Sequence, residues 1–398
     1  MSDLDTFRQE TRAWLLANCP ASLLGRETTP FDGCWGGRKV VWESDDERRW
    51  LETMVARRWT APTWPVEYGG GGLSEDEARI VREEMSRAKI PPPLVGFGLT
   101  MIGPALLAFG SEEQKREHLP GITSGRIRWC QGYSEPGAGS DLAGLRTSAV
   151  RDGDEFVVDG QKCWTSYADS SDWMFLLART DPAAKKQAGI TFLLLDFDTP
   201  GVTVRPTQLI SGKSPFCETF FDGVRIPLRN VVGGIDKGWT VGKAVLEFER
   251  STHGEVFSTA GTAEENPLIA AARKHVGFDE AGRVRSAAVR AEIAQSEMDR
   301  RCFELTIRRI HESRKPGDKP GAESSMLKWY ASEFNMRRQH LLTSIAGPEA
   351  LGWEGEGFDE QEMGVTRDWL RSRGNSIEGG TSEIQLNVIA KRMLGLPD

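Results

Sequence analysis

The stretch WCQGYSEPGAGSD, residues 129–141, marks the point at which the character of the sequence changes. It begins with apolar residues and continues as a polar loop that contains three glycines, one proline and two serines. Glycine allows a backbone to turn with positive φ and to approach a ligand closely, and successive N–H groups in such a turn can bind an anion. A phosphorylated cofactor would suit this loop, although an ordinary surface turn is an alternative that the spacing alone leaves open. The loop is not a dinucleotide fingerprint, because no third glycine and helix follow it in a βαβ unit.

The bulk composition narrows the class of protein. A chain of 398 residues is long enough for two or three packed units. A net charge of −8 without a basic block argues against a nucleic-acid partner. No apolar run reaches the length of a membrane span, and the acidic start lacks the regions of a signal peptide. The six cysteines form no CxxC pair, which favours reduced thiols and no zinc site. We therefore expect a cytoplasmic protein without a metal centre.

The first part of the chain, residues 1–128, has the periodicity of a helical domain. An amphipathic helix near the start is expected to end at Pro20. Two capping boxes, Ser74 with Glu77 and Ser111 with Gln114, predict the beginnings of two later helices.

The middle part, residues 129–238, changes to short β-rich runs with Asp-Gly turns, which predicts a small β domain or barrel. The sequence around Asp159-Gly160 predicts a hairpin between 155–158 and 162–164. Further strands are expected at 173–178, 190–195, 202–204 and 220–227.

The last part, residues 239–398, returns to helical periodicity and predicts an antiparallel helical bundle. The candidate helices are 239–257, 285–313, 324–345 and 383–394. The glycine-rich, acidic stretch 352–364 is expected to be an exposed loop.

The segment from Ser134 to Asp141 resembles the flavin-binding loop of the acyl-CoA dehydrogenase family, whose pattern is Thr/Ser-Glu-Pro-Gly-Ala-Gly-Ser-Asp. The order of helical, β and helical parts is also that family's architecture, so the resemblance extends over nearly the whole chain. It implies an α+β multidomain fold with a small β-barrel-like middle domain and a C-terminal four-helix bundle, and it implies FAD as cofactor. It also implies that Ser134 and the backbone of Tyr133 meet the flavin ring. Ser140 would then lie near the cofactor pyrophosphate or the CoA part of a substrate, and Gly139 is a further candidate for cofactor binding.

A second motif, Trp164-Thr165-Ser166, follows the loop by about thirty residues, as in the family. There a tryptophan shields one face of the flavin, and a following hydroxyl bonds near the reactive N5 edge. The resemblance implies Trp164 and Ser166 for these roles. A buried tryptophan that only packs the β domain is the structural alternative.

A third motif, 377–385, contains Gly380-Thr381-Ser382 before the last predicted helix. Thr381 is expected to cap that helix, and a helix amino terminus favours a pyrophosphate. Thr381 and Glu383 therefore become candidates for the cofactor side of the site.

The reaction implied by the family needs a carboxylate that removes the α proton of a thioester, with its pKa raised by an apolar environment. Many family members place this glutamate where the present chain has Gly379, and Glu378 is one position early. Other members place it before an arginine in a Leu-x-x-Glu-Arg pattern, which Glu249 and Arg250 match. We expect Glu249 to be the base, with Glu378 as the alternative. If Glu249 has no catalytic role, Glu249 and Arg250 would form a solvated surface pair.

Two substrate contacts accompany this assignment. Arg250 would then contact the CoA part of the substrate. The backbone N–H of Gly379 could polarise the thioester carbonyl, since a hydrogen bond there stabilises an enolate-like transition state.

The subunit composition is predicted from a departure from the family pattern. Family homotetramers carry Arg-x-x-Phe-Gly and Gln-x-x-Gly-Gly segments that reach the flavin of a neighbouring subunit, and the corresponding regions here, 271–278 and 344–350, match neither. This pattern resembles bacterial α2β2 members that oxidise steroid side-chain CoA esters. A homo-oligomer with divergent loops is the alternative.

The resulting functional prediction is an acyl-CoA dehydrogenase of fatty acid or steroid degradation. It would use FAD to form a trans-2-enoyl-CoA and pass the electrons to an electron-transfer flavoprotein. An oxygen-using flavin monooxygenase or oxidase of the same fold is one alternative, and a non-catalytic partner subunit of a heteromeric enzyme is another.

Overall fold

The structure, a computed structural model, describes residues 3–26, 32–259, 266–313, 321–355 and 357–397, with the side chains at 250–259, His311 and Gln361 excepted. The chain divides into two compact units. Unit one comprises Met1–Thr207 and Pro215–Phe248, and unit two comprises Gln208–Ser214 and Glu249–Asp398.

Unit one begins with helices whose starts are marked by local sequence signals. Both predicted capping boxes are present: the Ser74 and Ser111 hydroxyls each accept a backbone N–H bond three residues on, and the Glu77 and Gln114 side chains reciprocate. The helices are α1 Asp3–Asn18, α2 Asp45–Arg57, α3 Glu75–Arg87, α4 Gly103–Phe109 and α5 Glu112–Thr123. The Gln114 amide also donates to the carbonyls of Arg229 and Val231, which ties α5 to the end of the sheet in the same unit.

The predicted β part forms one eight-stranded sheet within the described residues, in the order β6-β7-β3-β2-β4-β5-β8, with β1 paired in parallel to β4. Its interior strands β4 and β5 are almost continuously apolar and buried, as expected for strands covered on both faces. The strands are β1 Trp129–Gly132, β2 Ser148–Asp152, β3 Glu155–Ser166, β4 Trp173–Arg179, β5 Ile190–Asp196, β6 Val202–Thr207, β7 Phe216–Pro227 and β8 Val231–Val232.

The predicted hairpin at Asp159-Gly160 is wrong. Strand β3 runs through this point without turning, and the register with β7 shifts between Val158 and Gly160, as at a β-bulge. Gly160 has a φ of +142°, and a Cβ there would lie 2.8 Å from the backbone of Thr147, so a close strand contact requires the glycine. The actual turn between β2 and β3 is at Gly153.

Helix α6, Gly238–Thr259, belongs to unit one as far as Phe248 and to unit two from Glu249. The other helices of unit two are α7 Pro267–His275, α8 Ala287–Ser313, α9 Glu323–Ala346, α10 Glu360–Ser372 and α11 Ser382–Val388. Helix α9 is central, because it packs against α7, α8, α10 and α11.

The predicted loop 352–364 extends too far, because its last residues belong to helix α10. A capping box formed by Asp359 and Glu362 begins α10 at Glu360, and the acidic residues that suggested a loop make up the first turn of this helix. Helix α7 was also not predicted. The domain boundaries after residues 128 and 238 stay a prediction.

None of the helices in the described ranges combines the length and the apolar character that crossing a membrane requires.

Candidate functional site

The glycine-rich loop of unit one follows β1 and forms a tight turn. Glu135 and Ala138 exchange two backbone hydrogen bonds of 3.0 Å, which leaves Pro136 and Gly137 exposed at the tip. Neither Gly137 nor Gly139 has a positive φ, and a Cβ on either would meet no atom within 4 Å. Their contribution is thus an uncovered backbone surface, not a left-handed turn.

The loop is anchored by Lys162, whose side chain is completely buried. Its ammonium donates to the carbonyl of Tyr133 at 3.0 Å and to Oε1 of Glu135 at 2.8 Å. The Glu135 carboxylate also accepts the backbone N–H groups of Arg146 at 2.7 Å and Thr147 at 2.9 Å. A single buried ion pair thereby connects the start of the loop, the strand β3 and the segment after the loop.

The electrostatics agree with an ionised carboxylate in this pair. Burial alone would raise the pKa of Glu135, but Lys162 and the two N–H donors outweigh it and hold this pKa below its usual value. Burial lowers the pKa of Lys162 to about 8, against the opposing charge of Glu135. This pair was not predicted from the sequence, because its partners are 27 residues apart.

Strand β3 brings the second motif next to the loop. The Cys163 N–H donates to the carbonyl of Ser134 at 2.9 Å, so the two motifs lie side by side in unit one. Trp164 has a φ of +58° at an irregularity of β3 and is 58% exposed, with its ring edge-to-face to Phe216 at 5.7 Å. The alternative of a buried packing tryptophan is therefore wrong, because more than half of the surface of Trp164 is exposed.

The hydroxyls after Trp164 have different environments. Thr165 is buried and is bonded to the Cys217 carbonyl and the Thr219 hydroxyl, each at 2.9 Å. Ser166 is half-buried at the end of β3, opposite Phe216. Of these two hydroxyl residues, Ser166 is the one that is not fully buried, and its contact with the flavin stays a prediction.

Tyr133 and Ser140 differ in exposure. The Tyr133 ring is buried edge-on against Phe175 and Phe192, so that only its backbone remains for a ligand. Ser140, like Gly139, is exposed at the end of the loop.

In unit two, Glu249 lies beside the turn that contains Gly379. The Glu249 side chain is half-buried, and Gly379 has a φ of +62°. A Cβ built on Gly379 would lie 3.8 Å from Oε1 of Glu249 and 3.5 Å from Cε of Lys328. The two positions at which the family resemblance offers a glutamate, 249 and 379, are therefore adjacent in space.

The alternative base, Glu378, is bound in another direction. Its carboxylate forms an ion pair with Arg371 at 2.6 Å and accepts the Asn375 amide at 2.5 Å. These bonds engage both carboxylate oxygens of Glu378.

Thr381 caps α11 as expected, since its hydroxyl accepts the N–H of Ile384 at 3.3 Å. Glu383 is exposed in the first turn of this helix. The Gln385 amide, which the sequence analysis did not select, donates to the carbonyl of Gly379 at 2.8 Å. The side chain of Arg250 lies outside the described side chains, so its predicted contact with CoA stays a prediction.

Three family models together cover most of the chain. The acyl-CoA dehydrogenase N-terminal domain matches residues 38–126, the middle domain matches 130–224 and the C-terminal domain matches 236–394. The chain belongs to the acyl-CoA dehydrogenase family, a family of flavoprotein oxidoreductases.

Individual relatives agree with this assignment. The chain is 37% identical over 399 residues to acyl-CoA dehydrogenase IpdE1 of Mycobacterium tuberculosis, with 100% of this chain and 99% of the relative covered. Among solved structures, it is similar to the Tcur3481-Tcur3483 steroid ACAD with a TM-score of 0.78 and 31% identity, covering 100% of this chain and 98% of that one. It is also similar to a chain of the ChsE4-ChsE5 complex from Mycobacterium tuberculosis, with a TM-score of 0.71, 27% identity and coverage of 100% and 98%.

Proposed function

We propose that this protein removes two hydrogens across Cα–Cβ of an acyl-CoA thioester and forms a trans-2-enoyl-CoA. Glu249 is the base that takes the α proton. The backbone N–H of Gly379 is the hydrogen-bond donor to the thioester carbonyl, and Arg250 is a contact for the CoA part.

The observation that carries this proposal is the position of Glu249 beside Gly379. Many family members have a catalytic glutamate where this chain has glycine, and that side-chain position is 3.8 Å from the Glu249 carboxylate. A carboxylate from α6 can therefore take the place of a carboxylate from the turn without a change of fold. Because both residues belong to unit two, this relation does not depend on the other unit.

The residues of unit one fit the FAD that the family implies. Exposed Trp164 offers an aromatic face, and the loop offers backbone that Gly137 and Gly139 leave uncovered. We assign Tyr133, Ser134, Trp164 and Ser166 to the ring side of the cofactor. Gly139, Ser140, Thr381 and Glu383 are the candidates for its pyrophosphate side. When bound, FAD supplies a two-electron acceptor for the β hydride.

The residues of the chain carry out the proton transfer. As the Cα–H bond breaks, its proton joins a carboxylate oxygen of Glu249, and negative charge develops on the thioester oxygen. An N–H group directed at that oxygen stabilises the charge where it forms. Arg371 forms an ion pair with Glu378 and the Asn375 amide donates to it. We assign the proton transfer to Glu249.

Glu249→Gln tests the proposal, with Glu378→Gln as its matched control. A general base contributes about 10²–10⁴-fold, so we expect Glu249→Gln to lose at least about 10²-fold in kcat for enoyl-CoA formation and to keep its flavin absorption spectrum. Glu378→Gln should keep most of the activity. Rates measured with a panel of straight-chain and steroid-derived acyl-CoA esters settle the question. Near-wild-type turnover of Glu249→Gln would remove Glu249 from this role.

The proposed partners are an electron-transfer flavoprotein, which takes up the electrons, and a related chain in an α2β2 heterotetramer. Support for the second partner comes from two similar structures that are named as pairs of chains, and from the two regions, 271–278 and 344–350, that lack the family's cross-subunit patterns. Native mass and flavin content of the chain purified alone test this. We expect substoichiometric FAD, whereas a homo-oligomer with one FAD per chain would contradict the heterotetramer.

A further inference from the structure

A narrow cleft in unit one lies between the segment 94–99 and the start of β1. Its walls are mostly apolar and include Trp35 and Phe97. Two residues with side-chain N–H donors, Arg128 and Trp129, also line it. The cavity volume is about 10 Å³, which matches one oxygen-sized atom and not an alkyl chain. The cleft therefore has the dimensions of a subsite for the end group of a ligand.

The indole N–H of Trp129 is a buried donor without an acceptor. Trp129 is 1% exposed, and its Nε1 has no hydrogen-bond partner among the residues that the structure describes. The ring atom bonded to this nitrogen, Cδ1, lies 3.6 Å from the point at which a Cβ of Gly98 would stand, so this edge of the indole faces a wall of the cleft. A buried donor left unpaired is destabilising, and native proteins rarely retain one without a further partner. An acceptor atom in the cleft would satisfy it.

The guanidinium of Arg128 has no hydrogen bond or ion pair within the described ranges of the chain. It stacks on the ring of Trp35 at 4.8 Å and on that of Tyr167 at 5.1 Å, which holds it in place. The buried carboxylate of Asp172 accepts the backbone N–H groups of Arg38 and of Arg128 itself, but not the guanidinium. Burial is the largest influence on the pKa of Arg128 and lowers it. The fork of donors on this side chain therefore remains for an anionic acceptor.

Two strands of unit one connect the cleft with the motifs on the flavin side. Trp129 is the first residue of β1, and Tyr133 follows the end of this strand, about 13 Å further on. Tyr167, on which Arg128 stacks, directly follows Ser166 at the end of β3. Tyr133 and Ser166 are both assigned to the ring side of the cofactor. A group in the cleft would thus belong to the acyl part of a substrate, beyond its β carbon.

We propose that Arg128 and Trp129 form a subsite for a carboxylate at the far end of the acyl chain, so that the substrates are ω-carboxyacyl-CoA thioesters. One carboxylate oxygen accepts the Trp129 N–H, and the Arg128 guanidinium supplies the opposite charge. This inference rests on the proposed function, because it names the substrate class of that reaction. A phosphate of CoA is the other source of anionic oxygens, but its three terminal oxygens exceed a cleft of this volume.

The test is the equilibrium binding of acyl-CoA esters to the holoenzyme, measured by isothermal titration calorimetry. The probes are adipoyl-, suberoyl- and sebacoyl-CoA, each compared with its ω-methyl ester, which has the same CoA part but no terminal charge. A hydrogen bond to a charged group contributes about 10- to 100-fold in affinity, so the wild type should bind at least one acid about tenfold more tightly than its ester. Equal binding of acids and esters, which a CoA phosphate in the cleft predicts, would overturn the inference, and so would the absence of binding by every probe.

Variants of the two donors locate the preference. Arg128→Met should abolish the preference for the acid. Trp129→Phe keeps an aromatic ring without the N–H, and it should reduce the preference by about 2- to 10-fold. Arg126→Met is the matched control, because Arg126 is exposed and its Nε donates to the Ser124 hydroxyl at 3.0 Å. This control should keep the wild-type preference.

Arg128→Lys covers the case in which Arg128→Met does not fold, because it keeps the charge but not the planar fork of donors. It should also weaken the preference for the acid. A wild-type preference in the folded Arg128 variants, or the same loss in Arg126→Met, would overturn the inference. The proposed function fails by a different measurement, namely full activity of Glu249→Gln, so the two failures are distinguishable.

Discussion

Unit one and unit two each bury a lysine beside a candidate functional segment, but the two lysines are bound differently. Lys162 contacts a carboxylate directly, Glu135 at 2.8 Å, and shares it with two backbone N–H groups. Lys328 donates to two backbone carbonyls, and the carboxylates around it lie beyond these contacts. Direct pairing engages the Glu135 carboxylate in the structure, whereas the hydrogen bonds of Lys328 tie its ammonium to the backbone of the turn around Gly379.

The comparison predicts that removing the charge of Lys162 has the larger effect on structure. Breaking a buried ion pair on one side costs about 3–5 kcal/mol, because the other charge stays buried. Removing a donor from buried carbonyls costs about 1–3 kcal/mol. Lys162→Met should therefore lose FAD during gel filtration and expose the amides of residues 133–147 to hydrogen exchange, while Lys328→Met should leave both nearly unchanged.

The double variant Glu135→Leu/Lys162→Met serves as the control for the ion pair. It removes both charges, so it should retain more FAD than Lys162→Met alone, although the N–H groups of Arg146 and Thr147 lose their acceptor. Equal FAD loss and equal amide exchange in Lys162→Met and Lys328→Met would contradict this prediction, because the two lysines would then contribute equally to the structure.

The difference between the two lysines also explains what could be predicted from the sequence. The capping boxes at Ser74 and Ser111 and the apolar strand β5 are local patterns, and they were correctly predicted. The partners of Lys162 lie 27 and 29 residues away and those of Lys328 lie 47 and 52 residues away, and no local period connects them. Their functional relevance depends on burial, which a lysine in a sequence does not indicate.

The two wrong predictions of local structure have different physical origins. Asp159-Gly160 is a frequent turn pair, but the approach of Thr147 uses this glycine for a bulge within β3. The acidic stretch before α10 looked like a loop, although Asp359 and Glu362 cap a helix. In both cases a tertiary contact or a cap selected one of two local conformations that the residues allow. The candidate base was selected through family resemblance, since a Glu–Arg pair on a helix has no distinctive period.

His118 is a buried titratable group of unit one without an ion pair in the described part of the chain, so it can be compared with the paired Lys162 of the same unit. It lies on α5 with its ring edge-on to Trp129 at 5.3 Å and to Trp173 at 4.7 Å. Within the described part of the chain, its Nε2 has no hydrogen-bond partner. Burial lowers the pKa of His118 to about 4, against the charge of Asp196, which favours the imidazolium.

The sign of the pH dependence follows from this pKa. The unfolded chain binds a proton at His118 below a pH of about 6.5, whereas the folded protein does so only below about 4. The contribution of neutral His118 is thus fully present above about 6.5, and about 3 kcal/mol of unfolding free energy is lost as the pH falls to about 4. We expect His118→Leu to lose less stability than the wild type over this interval, measured by urea unfolding followed through tryptophan fluorescence.

The matched control is His340→Leu, because His340 is exposed on α9 in unit two. Its stability should fall with pH in parallel with that of the wild type. If His118→Leu also follows the wild-type curve, the folded protein accepts a proton at His118, and the apolar contacts around this ring do not exclude an imidazolium. In that case water or Asp196 must stabilise the His118 imidazolium. A directly bonded carboxylate, such as Glu135 beside Lys162, would then not be required to keep a charge inside unit one.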